Sequence, residues 1–284
     1  MTPSMKPARR ETRRWLFAAF GAICLLGACS SSDDDSGSFI SDDALFIERP
    51  AGELYNHAMD LLIEGDLKAA ITAFGDVERQ HPYSVWATKA QLMAAYSHYL
   101  RNRYDEAIVA LDRFIQVHPG NPDTPYAYYL KALCYYEQIS DVNRDQKMTK
   151  AAGKALETLI RRFPDSKYAR DARLKLEFTH NHLAGKEMEV GRYYMKHNNY
   201  LAAIKRFRTV VDKYQNTLQV AEALHRLTEA YIALGLIEEA RKTAAVLGYN
   251  FPGSEWYQDS YDLLTKKELR PMVTSAPASG KPQL

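Results

Sequence analysis

Cysteine is scarce in this chain, with three in 284 residues, Cys24, Cys29 and Cys134. Cys24 lies in an N-terminal apolar segment that reads as a removable signal, and Cys134 stands alone in a helical pattern as a small packing residue. No Cys-x-x-Cys pair exists, so redox chemistry and a disulfide scaffold are both excluded. Long hydrophobic runs are absent too; Trp15 to Leu26 is the main one and is too short to span a membrane comfortably. Charge of one sign is missing as well. The chain has 37 Lys+Arg against 35 Asp+Glu, and residues 1–28 hold five of the basic and one of the acidic residues. The rest of the chain has 32 against 34, a net of −2, so no global positive field argues for nucleic acid. There is no Gly-rich phosphate loop, no HExxH and no Gly-x-Ser-x-Gly. His180 and His182 are the nearest approach to a metal pair, but two residues apart on a helix they point about 200° from each other. Nothing supports catalysis, a metal or a cofactor.

What is present is a repeat. In Gly191 to Val210, GRYYMKHNNYLAAIKRFRTV, a small residue at Gly191 lets two helices cross closely, and Tyr194 packs over the crossing. Ala203, Phe207 and Val210 line one face of the second helix at i, i+4, i+7, with a polar turn at His197 to Asn199. The same register holds Ala58, Leu61, Gly65, Ala70, Phe74 and Val77 in a first repeat, and Ala95, His98, Ala107, Leu111 and Phe114 in a second. It continues with Ala152, Leu156 and Leu159 in a third, and Thr228, Tyr231, Gly235, Ala240, Ala244 and Leu247 in a fifth. Terminators stand at Pro82, Pro119, Pro164, Gln215 and Pro252, followed by N-cap types at Ser84, Ser166, Thr217 and Ser254, with Thr124 before Pro125. This pattern resembles the tetratricopeptide (TPR) repeat. It predicts an all-α, TPR-like α-solenoid of about five helix-turn-helix repeats, because one hairpin cannot bury its faces alone.

The expected boundaries are 50–83, 84–123, 124–165, 166–216 and 217–253, then a terminal helix to about 268, so that the solenoid spans 50–268. Spacings between terminators are irregular for local reasons. The third repeat is lengthened by the PGNPDT connection and by the polar loop Ser140 to Lys150. The fourth is fourteen residues longer than the regular spacing, about four helical turns, which preserves the apolar face. Ser166 to about Lys196 is therefore expected as one helix; the alternative is a break near Gly185.

The termini have their own character. Arg9, Arg10, Arg13 and Arg14 precede the apolar run, which ends Leu26-Gly27-Ala28-Cys29 and resembles the lipobox of bacterial lipoproteins. That resemblance makes 1–28 a lipoprotein signal peptide and Cys29 the lipidated residue; an ordinary signal with a chance cysteine is the alternative. Residues 29–49 are then the lipidated cysteine and an acidic flexible tether, and 269–284 a disordered tail. Tyrosine is abundant, 19 in all, with doublets such as Tyr193-Tyr194 in which one ring can serve the helix seam and the other the surface.

The lipobox, the acidic tether and five repeats resemble the BamD family, lipoproteins of the outer-membrane β-barrel assembly (BAM) machine. More specific are ELYNHAMDLLIEGDLKAAITAF in the first repeat, LDRFIQVHPGNPDTPYAYYLKAL across the second junction, ISDVNRDQ in the third-repeat loop, and RRFPDSKYARDA. The resemblance implies a non-enzymatic scaffold, lipid-anchored to the periplasmic face of the outer membrane. Its C-terminal repeats would dock a POTRA domain of BamA, beside other BAM lipoproteins. Its N-terminal repeats would capture C-terminal segments of unfolded outer-membrane proteins. Candidate partner-binding residues are Arg206 with Tyr193 and Tyr194, Arg192, and Asp141, Arg144 and Asp145 of the third-repeat loop. Arg206 is expected at the edge of the Ala203–Phe207 seam, serving either a partner or an internal salt bridge to an acid such as Glu189. Another periplasmic TPR adaptor, for cell division or peptidoglycan, is the alternative function.

Overall fold

Chain turns recur at one position in this protein, and they set the helix pairs. The computed structural model describes residues 49–266; the signal, Cys29, almost all of the tether and the tail lie outside them. Within them are α1 (Ala51–Glu64), α2 (Leu67–Gln80), α3 (Val85–Leu100), α4 (Tyr104–Val117), α5 (Thr124–Tyr136) and α6 (Lys147–Arg162). After these come α7 (Ala169–Lys196), α8 (Tyr200–Lys213), α9 (Val220–Ala233), α10 (Ile237–Asn250) and α11 (Glu255–Lys266). Gly65, Asn102, Asn198 and Gly235 all have positive φ, and each ends the first helix of a pair two residues before the second begins. Glycine and asparagine are the residues that enter this left-handed region at least cost. Both asparagines are held alike: Tyr104 and Tyr200 each donate a hydroxyl to the side-chain oxygen of Asn102 and Asn198, at 2.9 Å. The third pair lacks this turn and uses the longer loop between α5 and α6.

Each second helix also ends alike. His81, His118, Phe163, Tyr214 and Phe251 share φ near −130° and ψ near 55°, a departure from the α region, which a following proline disfavours. Tyr214 adopts it although Gln215 comes next, so the packing and not proline alone fixes the stop. The next helices start less uniformly than expected. Ser84 and Ser254 do cap, accepting from the amides of Ala87 at 3.0 Å and Tyr257 at 3.2 Å. Ser166 and Thr217 do not cap: Ser166 Oγ bonds to no described residue, Thr217 donates its hydroxyl to Tyr214 O at 2.7 Å, and α7 and α9 begin three residues later. Thr124 is not a cap either; it lies within α5 and donates its hydroxyl to His118 O at 2.8 Å, bracing the longer connection.

Consecutive helices pack in chain order, and the buried side chains are those of the repeat register. Ala58, Ala70, Phe74 and Val77 form the first group, Ala95, Ala107, Leu111 and Phe114 the second, and Ala132, Leu156 and Leu159 the third. The fourth and largest group runs from Ala184 to Leu264. Each fully buried Phe contributes about 1.5–3 kcal/mol, shared between neighbouring repeats. Gly191 sits at the crossing: a Cβ there would lie 2.7 Å from Phe207 Cζ, closer than any carbon contact allows. The helix through Gly185 is unbroken, and α7 has 28 residues where α8 and α9 have 14 each.

Candidate partner-binding site

Helix α7 is long enough to gather three features on one face. Leu174, Phe178, Gly185 and Arg192 recur at multiples close to 3.6 residues and form a stripe about 27 Å long. At its start Leu174 is 63% and Phe178 50% exposed, one turn apart, and Phe178 tilts against Tyr136 of α5 with centroids 5.7 Å apart. Sequence reasoning did not single these two out, although apolar residues at i, i+4 beside the buried Ala172 and Thr179 positions are a readable sign of a second, uncovered face.

At its middle the stripe receives the loop between α5 and α6. Val142 packs against Gly185, where a Cβ would meet Val142 Cγ1 at an ordinary 3.6 Å. Lys186 donates to Asn143 O at 2.9 Å. The organiser is Gln146, 5% exposed, whose amide nitrogen reaches the carbonyls of Asp141, Val142 and Arg144 at 3.0–3.2 Å. Its amide oxygen accepts from Thr149 at 2.8 Å and from His182 Nδ1 at 3.0 Å, which places the proton of His182 on Nδ1. Asp141 accepts from the Asn143 amide at 2.8 Å, whereas the Arg144 and Asp145 side chains are exposed and make no bond with another described residue. The loop is thus fixed by its backbone and presents its charges outward. Gln146 carried no motif in the sequence, since only the folded loop brings its carbonyls together.

At its end the stripe enters a charged network. Arg192 donates to both Glu222 oxygens of α9 at 3.0 and 3.1 Å and to Glu189 at 2.7 Å. Burial opposes the charge on Arg192, but the hydrogen bonds of the two glutamates outweigh it and hold its pKa above the ordinary value. The network continues through Arg226, 3.6 Å from Glu222 and 2.7 Å from Glu229, with its guanidinium over Trp256 of α11. Burial pushes the Glu229 carboxyl up, but His225 and Arg226 more than reverse this and leave its pKa low.

Arg206 lies elsewhere. It donates to Glu187 at 3.1 Å, on the side of α7 that faces α8, with its side chain 42% exposed. Glu189, two residues on, is turned about 200° away and belongs to Arg192. Tyr194 packs into the core beside Ala203, while Tyr193 is exposed and lies against the His197 ring at 4.2 Å. The structure therefore places the loop contact at Gly185 and Arg192 on one face of α7, about two turns apart, with Arg206 on the side towards α8. His180 and His182 make unrelated contacts, to Glu157 at 3.5 Å and to Gln146.

The family model described as "Outer membrane lipoprotein" (YfiO) matches residues 47–247, which includes α1 to α9 and most of α10. The chain belongs to this family. Among curated relatives, the outer membrane protein assembly factor BamD of Caulobacter vibrioides is 51% identical over 237 residues, covering 84% of this chain and 78% of that protein. The protein of the same name from Rickettsia prowazekii is 47% identical over 240 residues, covering 84% of this chain and 92% of its own. A solved thermophilic TPR protein of Thermus thermophilus aligns over 76% of this chain and all of its own, with 16% identity and a TM-score of 0.34. Among the described residues no helix is long and apolar enough to cross a membrane.

Proposed function

We propose that this protein is a non-enzymatic scaffold of outer-membrane β-barrel assembly, held at the periplasmic face by lipid on Cys29. The observation that carries the reading is the 51% identity to an assembly factor over nearly the whole repeat region. In this reading the α7 face and the C-terminal repeats dock the POTRA domain of BamA. The rigid loop offers Asp141, Arg144 and Asp145 outward, and Arg192, with Tyr193 beside it, closes the far end of the face. Arg206, half exposed at the neighbouring seam, is the second contact to test. Other BAM lipoproteins bind alongside, and the N-terminal repeats receive C-terminal segments of unfolded outer-membrane proteins.

Affinity purification of the tagged protein from detergent-solubilised envelopes tests this. A barrel-forming subunit with POTRA domains is expected in the eluate; recovery of division or cell-wall proteins in its place refutes it. Arg206→Glu separates the two roles of that residue. Loss of POTRA binding with near-normal melting makes it a partner contact. Lower melting with unaltered binding leaves only the bond to Glu187.

A further inference from the structure

The stretch from the third-repeat loop to the start of α7 carries an excess of positive charge that the contacts proposed above leave largely unused. Residues 144–175 contain ten Lys+Arg against four Asp+Glu, a net of +6, although everything after residue 28 sums to −2. Much of this excess is aligned. On α6, Lys147, Lys150, Lys154 and Arg161 fall at spacings of three, four and seven, opposite the buried Ala152, Leu156 and Leu159. They form one outward stripe about 21 Å long. All four side chains are exposed, and none makes a hydrogen bond or ion pair with another described residue. Several exposed cations elsewhere do take a nearby acid: Arg79 pairs with Asp76, Arg103 with Glu106, Arg113 with Glu78 and Lys242 with Glu239. The single acid in the stripe, Glu157, is turned to His180 of α7.

We propose that this stripe rests on the anionic phospholipid headgroups of the membrane leaflet beside which the protein is held. The inference rests on the outer-membrane location of the family and not on the docking of any protein. Three arguments favour a lipid surface over an acidic peptide. Of the stripe's cations only Lys154 lines the groove between α5 and α6, with Tyr128, Lys131 and Tyr135, so a chain inserted there would meet one of them and not the row. Three of its cations are lysines, compact charges on flexible stems that suit a diffuse layer of phosphates; bidentate pairing with fixed carboxylates favours arginine. The row is straight and spans several headgroups, so its cations act together on a surface potential that fades within a Debye length.

The test uses residues 29–284 with Cys29→Ser, so that no acyl chain contributes, and co-sedimentation with vesicles. Binding is expected to phosphatidylethanolamine vesicles containing phosphatidylglycerol, not to phosphatidylethanolamine alone, and to fall as salt is raised. Lys147→Gln, Lys150→Gln and Lys154→Gln together should weaken it about a hundredfold. The same number of neutralisations scattered over Lys68, Lys196 and Lys205 should weaken it much less. Circular dichroism checks that each variant is folded; if the triple variant is not, Lys154→Gln alone should still cost about fivefold. No binding of the parent chain to the anionic vesicles overturns the proposal, as does equal loss in the scattered variant. So does a stripe variant that binds vesicles normally yet loses a co-purifying protein, which would make the stripe a protein contact. Recovery of the barrel-forming subunit with the lipidated parent is scored separately, so a failed lipid contact and a failed scaffold reading give different results.

Discussion

Replacing Gly191 by alanine should destabilise the protein although alanine is the better helix former. Gly191 is buried inside the regular part of the 28-residue α7, where glycine's backbone freedom is not needed. Its new Cβ would stand 2.7–2.8 Å from Phe207 Cζ and Cδ1, roughly 1 Å inside normal carbon contact. Phe207 is fully buried, so its ring cannot swing into solvent. It must leave its rotamer, or α7 and α8 must part, at an overpacking cost of about 1–3 kcal/mol. Gain in helix propensity returns about 1 kcal/mol. The net loss is about 0–2 kcal/mol, and its midpoint of about 1 kcal/mol lowers the melting temperature by about 2–4 °C for a domain of this size. Gly191→Leu should be worse. Gly75 in α2, whose added Cβ meets nothing within 4 Å, is the control, and Gly75→Ala should stabilise by about 1 kcal/mol. Thermal and urea unfolding monitored by circular dichroism read all three. If Gly191→Ala stabilises as Gly75→Ala does, the close crossing at Phe207 is wrong.

Gln146→Ala should cost about 2–3 kcal/mol, because it strands the Thr149 hydroxyl and three loop carbonyls at once. Amide hydrogen exchange should then rise across 141–146, and unchanged protection there would contradict the role given to Gln146. A double-mutant cycle on Arg192→Met and Glu222→Gln should give a coupling of about 1 kcal/mol, since Glu222 is largely buried and the bond bridges two helices; additive effects would refute it. Tyr99 supplies a pH signature. Burial, then the charge and hydrogen bond of Glu137, push its phenol up to about 12 from 10.0. A raised pKa favours the protonated form in the folded state, so this contribution is full below pH 10 and is lost as pH rises towards 12. Urea unfolding between these values should show a falling stability that Tyr99→Phe makes shallower. Cys29→Ser should leave an unprocessed or mislocalised precursor, and mass spectrometry of outer-membrane material showing an unmodified Cys29 would refute lipidation.

Much of the fold was legible because packing of a repeat depends on residue size at fixed spacing. Ala58, Ala95, Gly191 and Thr228 could be aligned before any contact was known, and all four are buried where first and second helices meet. Local capping was less legible. Ser166 and Thr217 have the side chains of N-caps, but their helices begin three residues later and neither hydroxyl accepts from a helix amide, and composition does not distinguish a cap from the turn before it. Partner choice by Arg206 was half legible: an acid on the preceding helix was expected, but Glu187 shares the side of Gly191 while Glu189 faces α9. Angle along the helix decides between them, and residue spacing alone supplies it. Gln146 could not have been found this way, because its five polar contacts arise from a loop path and from His182, 36 residues away.

The length of α7 has a mechanical consequence. Its first half packs on α6 and its second on α8, so the repeats before and after it are joined along one rod about 42 Å long. Rotating the rod by about 3° displaces its far end by about 2 Å, more than the tolerance of the bonds from Arg192 to Glu222. A protein bound over the Asp141–Gln146 loop, near the middle of the rod, would thus act on a lever with both ends loaded. Its effect would be read at α9 as strain in an ion pair.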